Sequence, residues 1–137
     1  MIRVVLDTNI IVSAYLNEDG VPRSILKLVL AKAIRLYVSL PILTEYRELL
    51  LRKSYPLDRR RASLLLNQIR AASIMVNPAA AEVLTSDPDD SMFLECAQAA
   101  KADYLVTGNT KHFPEKWKYT DIVTPRQFVD QWGRHVR

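Results

Sequence analysis

Apolar and polar positions along this chain follow two periods. Short runs rich in β-branched residues stand at Arg3–Leu6, Leu36–Ser39, Ile74–Val76, Tyr104–Val106 and Ile122–Val123, and each predicts a strand. Between them the apolar residues recur at helical spacing. Pro22–Ala33 aligns Ile25, Leu28 and Val29, and Pro41–Lys53 aligns Ile42, Tyr46, Leu49 and Leu50. Asp58–Ala72 aligns Ala62, Leu65, Leu66 and Ile69. Asp89–Lys101 aligns Phe93, Leu94 and Ala97, and Pro125–Gly133 aligns Phe128, Val129 and Trp132. A shorter helix over Ile10–Leu16 follows the first strand. Proline opens several of these segments, where its missing N–H costs nothing.

Strands separated by helices predict right-handed crossovers and a parallel sheet covered on both faces. The expected fold is a three-layer α/β/α sandwich with a five-stranded parallel sheet, formed by residues 1–137 as a single domain. In such sheets ligands bind beyond the carboxyl ends of the strands, where the strand order reverses. Asp7, Thr8 and Asn9 follow the first strand, and Thr107, Gly108 and Asn109 follow the fourth. If those strands are neighbours, both polar triplets line one crevice.

Composition narrows the chemistry. A single cysteine, Cys96, excludes a disulfide framework and a Cys-based zinc site, and suits a reducing cytoplasm. The start shows no signal-peptide pattern, and no apolar run approaches the ~20 residues of a membrane span. Three glycines leave no room for a Gly-rich phosphate loop, and no G-x-S-x-G elbow is present. His112 and His135 lack metal-ligand spacing; His112 reads as a surface histidine, and Trp117, Tyr119 and Trp132 as packing residues. The net charge of +4 is mild, but Arg52, Lys53, Arg59, Arg60 and Arg61 cluster, and Arg126, Arg134, His135 and Arg137 crowd the tail. Such clusters suit a phosphate-rich partner, or are simply solvated helix faces.

Three carboxylates carry the candidate chemistry. Asp7 sits where an aspartate often caps a helix. Glu45 shares the apolar stripe of Ile42, Tyr46 and Leu49, so it needs a partner or a cation unless it lies on an exposed rim. Asp90 aligns with Phe93, Leu94 and Ala97, although Asp87, Asp89 and Asp90 also suit the first turn of a helix. If these acids converge, they stay ionised together only around cations. Oxygen ligands favour Mg²⁺ or Mn²⁺.

The stretches VVLDTNIIVSAYL, PILTEYRELL and DPDDSMFLECAQAAKADYLVTGN, with the HF that follows, resemble the PIN-domain family, and within it the VapC-like proteins of toxin–antitoxin pairs. The resemblance runs from Ile2 to about Phe128. It implies an Mg²⁺- or Mn²⁺-dependent endoribonuclease with Asp7, Glu45 and Asp90 as the acidic cluster. It places Thr8, Asn9 and Thr107 around the acids, where they orient them. Family members usually carry an aspartate where this chain has Asn109, which keeps an oxygen but loses a charge; Asp87 is a candidate to compensate. The implied partners are RNA, a cognate antitoxin and a second copy in a homodimer, with Arg52, Lys53, Arg59 and Arg60 as candidate RNA contacts. Two other outcomes stay open: a catalytically weakened module that binds RNA or protein, and a housekeeping RNA-processing nuclease. A phosphoacceptor receiver domain fits poorly, because Asn77–Pro78 follows the third strand and no lysine follows the fifth.

Overall fold

The computed structural model describes residues 1–54, 58–78 and 88–136. The elements run β1 (Arg3–Leu6), α1 (Thr8–Leu16), α2 (Val21–Leu30), β2 (Arg35–Val38), α3 (Leu40–Ser54), α4 (Arg59–Ala72), β3 (Ser73–Met75), α5 (Pro88–Ala100), β4 (Tyr104–Val106), β5 (Lys116–Trp117), β6 (Thr120–Val123) and α6 (Pro125–His135). A 3₁₀ turn over Thr110–His112 follows β4.

The sheet has six strands in the order β3-β2-β1-β4-β6-β5. This corrects the expected five-stranded parallel sheet. Lys116–Trp117 pairs antiparallel with the start of β6, while the other neighbours pair parallel. Two residues are too few to show a period, so the sixth strand left no pattern in the sequence. The architecture is otherwise the expected α/β sandwich. Val4, Val5 and Leu6 are all fully buried. Successive strand residues point to opposite faces, so both sides of the central strand are covered.

Helix α5 packs on β1, β2 and β4, α6 on β4 and β6, and α1 on both α2 and α3. Phe93 of α5, Phe128 of α6 and Tyr46 of α3 are among the largest fully buried side chains. Each buried side chain of that size contributes about 1.5–3 kcal/mol.

The register of β1 on β4 is fixed at the amino edge. Arg3 N–H donates to Asp103 Oδ2 at 2.8 Å, and the Arg3 guanidinium donates to the Ala100 carbonyl at 3.0 Å. Val4 therefore faces Tyr104 and Leu6 faces Val106. The chain order reverses between β1 and β4, and the two polar triplets emerge side by side there.

Candidate active site

Asp7 is the single residue between β1 and α1, at the N-cap of the helix with extended backbone angles of φ −61° and ψ 147°. An aspartate there ordinarily accepts an N–H of the first turn. Asp58 does this for α4, accepting the Arg61 N–H at 3.2 Å. Asp7 makes no side-chain capping hydrogen bond. Its Oδ2 instead accepts the Thr107 hydroxyl at 2.7 Å. Thr107 is fully buried just past β4, and its Oγ1 accepts the Asn109 N–H at 3.0 Å. That N–H leaves the hydroxyl proton free to aim at Asp7. Asn9 joins the triplets a second time, its Oδ1 accepting the Gly108 N–H at 3.3 Å.

Helix α3 grips the residues on either side of Asp7. The buried Thr8 hydroxyl donates to Glu45 Oε2, and the buried Tyr46 hydroxyl donates to the Leu6 carbonyl. Burial, with the Cys96 thiol and the Asp7 and Glu45 carboxylates nearby, pushes the Tyr46 phenol well above its ordinary range. Tyr46 therefore stays a neutral donor. Burial also pushes the Cys96 thiol up to about 12, which removes it as a nucleophile near neutral pH.

Asp90 lies in the first turn of α5, its side chain 16% exposed. The His112 Nδ1 stands 3.9 Å from Asp90 Oδ2, and the same imidazole favours the charged form of Asp7. Sequence reasoning read His112 as a surface residue, and its side chain is 59% exposed. Its place beside the acids comes from the 3₁₀ turn, which has no sequence period to announce it.

Burial raises the Asp7 pKa above the ordinary carboxylate range. The Thr107 hydroxyl, the nearby N–H groups of Thr8 and Asn9, and His112 pull the other way without cancelling it. A charged Asp7 is thus short of positive compensation.

The remaining candidates divide. Asn109 is exposed at the start of the 3₁₀ turn. Asp87 lies outside the described residues. Arg52 and Lys53 occupy the last turn of α3, and Arg59 and Arg60 the first turn of α4, all exposed. At the helical rise, Arg52 is roughly 10 Å along α3 from Glu45. The cluster therefore stands apart from the acids, within reach of a bound strand rather than of the acids' own ligand.

Among the described residues, no group of three or more His, Cys, Asp or Glu is close enough to hold one ion. What the edge offers is oxygen donors: Asp7, fixed by Thr107, and Glu45, fixed by Thr8, with Asp90 alongside His112. This fits a hard cation that takes one or two carboxylates and keeps several waters, as Mg²⁺ does. It does not fit a dedicated all-protein cage.

An α/β sandwich with polar triplets side by side where its strand order reverses defines a class, and the comparisons assign it. Residues 3–111 match the PIN domain, and the chain belongs to that family. The Methanocaldococcus jannaschii protein MJ1680 is 27% identical over 147 residues, covering 98% of this chain and 94% of its own. The fold is shared with VapBC2 from Rickettsia felis, solved bound to a DNA fragment from their promoter. The TM-score is 0.63 at 21% identity, over 90% of this chain and 98% of the other.

Proposed function

We propose that this chain is an endoribonuclease that hydrolyses RNA phosphodiester bonds with Mg²⁺ or Mn²⁺, and that it is the toxin of a toxin–antitoxin pair. The observation that carries the reading is the state of Asp7. It sits at a helix N-cap but makes no side-chain capping hydrogen bond; it is half-buried, and it is held by the Thr107 hydroxyl at the edge where Thr8 holds Glu45.

A divalent ion bound there would supply Lewis acidity for activating water and balancing charge on the scissile phosphate. Of the expected set Asp7, Glu45 and Asp90, one or two carboxylates would hold it together with waters, and Asn109 would offer a neutral oxygen. Thr107 and Thr8 keep the first two carboxylates in fixed rotamers, so the ion's ligands need no reorganisation. His112 is placed to hold a phosphate oxygen of the substrate beside Asp90. Arg52, Lys53, Arg59 and Arg60 would take more distant phosphates and make binding salt-sensitive.

Membership of the PIN family supports a nuclease. The fold shared with VapBC2 supports a cognate antitoxin as a partner; a homodimer and action in the cytoplasm belong to the same proposal. Among the described residues, no helix is long and apolar enough to cross a membrane. A second reading, a catalytically weakened module that binds RNA or protein, is favoured by one residue. Asn109 leaves the site one charge short of the usual family pattern.

Purified protein incubated with mixed single-stranded RNAs separates the two. Cleavage that needs Mg²⁺ or Mn²⁺, stops with chelator and is lost in Asp7→Asn supports the nuclease. RNA binding without cleavage, with no Mg²⁺ or Mn²⁺ bound in a metal titration, supports the module. Expression that arrests growth with the native chain but not with Asp7→Asn tests the toxin role, and a homogeneous monomer in sedimentation would remove the homodimer.

A further inference from the structure

The 3₁₀ turn that brings His112 to the acids carries Lys111 on toward a separate cleft. This cleft, about 530 Å³ in volume, is lined by Thr110, Lys111, Phe113, Ile122, Thr124 and Gln127. Phe113 and Ile122 are each only 8% exposed and form an apolar floor. Thr124 directly follows β6, so the cleft opens at the same carboxyl edge as Asp7 and Thr107, two strands across from β1. From this placement we infer that the cleft is a subsite for one nucleotide flanking the scissile phosphate of single-stranded RNA. The inference rests on the nuclease reading and adds a specificity pocket to it.

Three features suit that occupant. The volume is that of a small-ligand site, and the lining sets Phe113, Pro114 and Ile122 for a base face among polar groups from Thr110, Lys111, Glu115, Thr124 and Gln127. Lys111 is exposed and has no acidic partner among the described residues, so its charge is available to a phosphate. Gln127 is pre-set. Its Oε1 accepts the Thr124 N–H at 2.8 Å in a capping box, while its own N–H donates to Thr124 Oγ1 at 3.1 Å. With the carbonyl pinned, the amide NH₂ is an uncommitted donor in a fixed orientation. Glu115 adds a carboxylate acceptor to the same lining. A fixed donor and an acceptor above an apolar floor are what base-edge reading requires.

The test uses Lys111→Gln and Gln127→Glu, the second of which preserves the capping box while removing the amide donor. Equal thermal midpoints for the native chain and both variants establish folding. Binding of a labelled single-stranded RNA octamer is read by anisotropy across salt, and cleavage positions are mapped on mixed-sequence RNA. Lys111→Gln should weaken binding about threefold to tenfold and reduce the salt slope by about one phosphate contact. Gln127→Glu should change the base preferred at one position beside the cut. If the native chain cuts RNA and both variants match it in affinity, salt slope and base preference, the subsite is overturned and the nuclease reading stands. If the native chain binds RNA without cutting it and Lys111→Gln weakens that binding, the nuclease reading fails and the cleft remains an RNA contact. If the native chain binds no RNA octamer at any salt, the subsite is overturned as well.

Discussion

The Thr107 hydroxyl donates to Asp7 Oδ2 at 2.7 Å across the junction of two parallel strands, between residues one hundred positions apart. Thr107 Oγ1 in turn accepts the Asn109 N–H, so one buried hydroxyl fixes the carboxylate and the turn after β4 together.

Asp7→Asn should lower cleavage by at least about 100-fold, since the charge that would hold the cation is lost. It should also raise stability near pH 7. Burial lifts the folded-state pKa of Asp7 above its unfolded value, so its ionisation penalises the folded form. The penalty is absent below the unfolded pKa, grows as pH rises through the folded pKa, and is full above it. The Tm gain of the variant should therefore fade on acidification. A Tm gain that is unchanged or larger below the ordinary aspartate range would contradict this. Mn²⁺ should raise the Tm of the native chain more than that of Asp7→Asn.

Thr107→Val keeps the shape of a fully buried side chain and deletes its hydroxyl. Asp7 loses a hydrogen bond that favours its charged form, so in the metal-free protein the pH profile of its titration should move to higher pH. The Asn109 N–H is left without its acceptor, and the fold should lose about 1–2 kcal/mol in urea unfolding. A stability loss with an unmoved pH profile would show that Thr107 does not tune Asp7.

Tyr46→Phe removes the donor to the Leu6 carbonyl in a fully buried setting. An unsatisfied buried acceptor costs about 1–3 kcal/mol. Because Leu6 immediately precedes Asp7, kcat should fall by about tenfold or less, as expected of a residue that positions others without touching substrate. Chemical denaturation and steady-state kinetics read the two effects separately.

Asn109→Asp restores the charge that the usual family pattern carries after the fourth strand. Titration calorimetry should show Mn²⁺ binding about tenfold tighter or a second equivalent bound, and cleavage should rise with it. Unchanged metal binding would place position 109 outside the ligand set.

Much of this was legible in the chain itself. Arg3–Leu6 and Tyr104–Val106 match their strands residue for residue. Both combine a β-branched run with a polar triplet that stops it. The neighbouring of β1 and β4, which brings Asp7 to Thr107, follows from topology and needs no side-chain detail. The helix after β1 begins two residues earlier than its apolar pattern, because Thr8 and Asn9 are polar residues serving the site inside a helical turn. Lys116–Trp117 escaped notice because a two-residue strand has no period, and β6 extends back to Thr120 in order to pair with it. The contacts of Thr8 with Glu45 and of His112 with Asp90 depend on side-chain rotamers and on a 3₁₀ turn, which spacing along the chain does not encode.

The hundred-residue span between Asp7 and Thr107 has a consequence during synthesis. A ribosome delivers β1, α1 and α3 long before β4, and the loop that joins the two triplets closes only after β4 has emerged. Stalled nascent chains ending before Tyr104 should bind Mn²⁺ no better than unfolded protein does. The order of translation thus keeps Asp7 without its Thr107 donor until the fourth strand is in place.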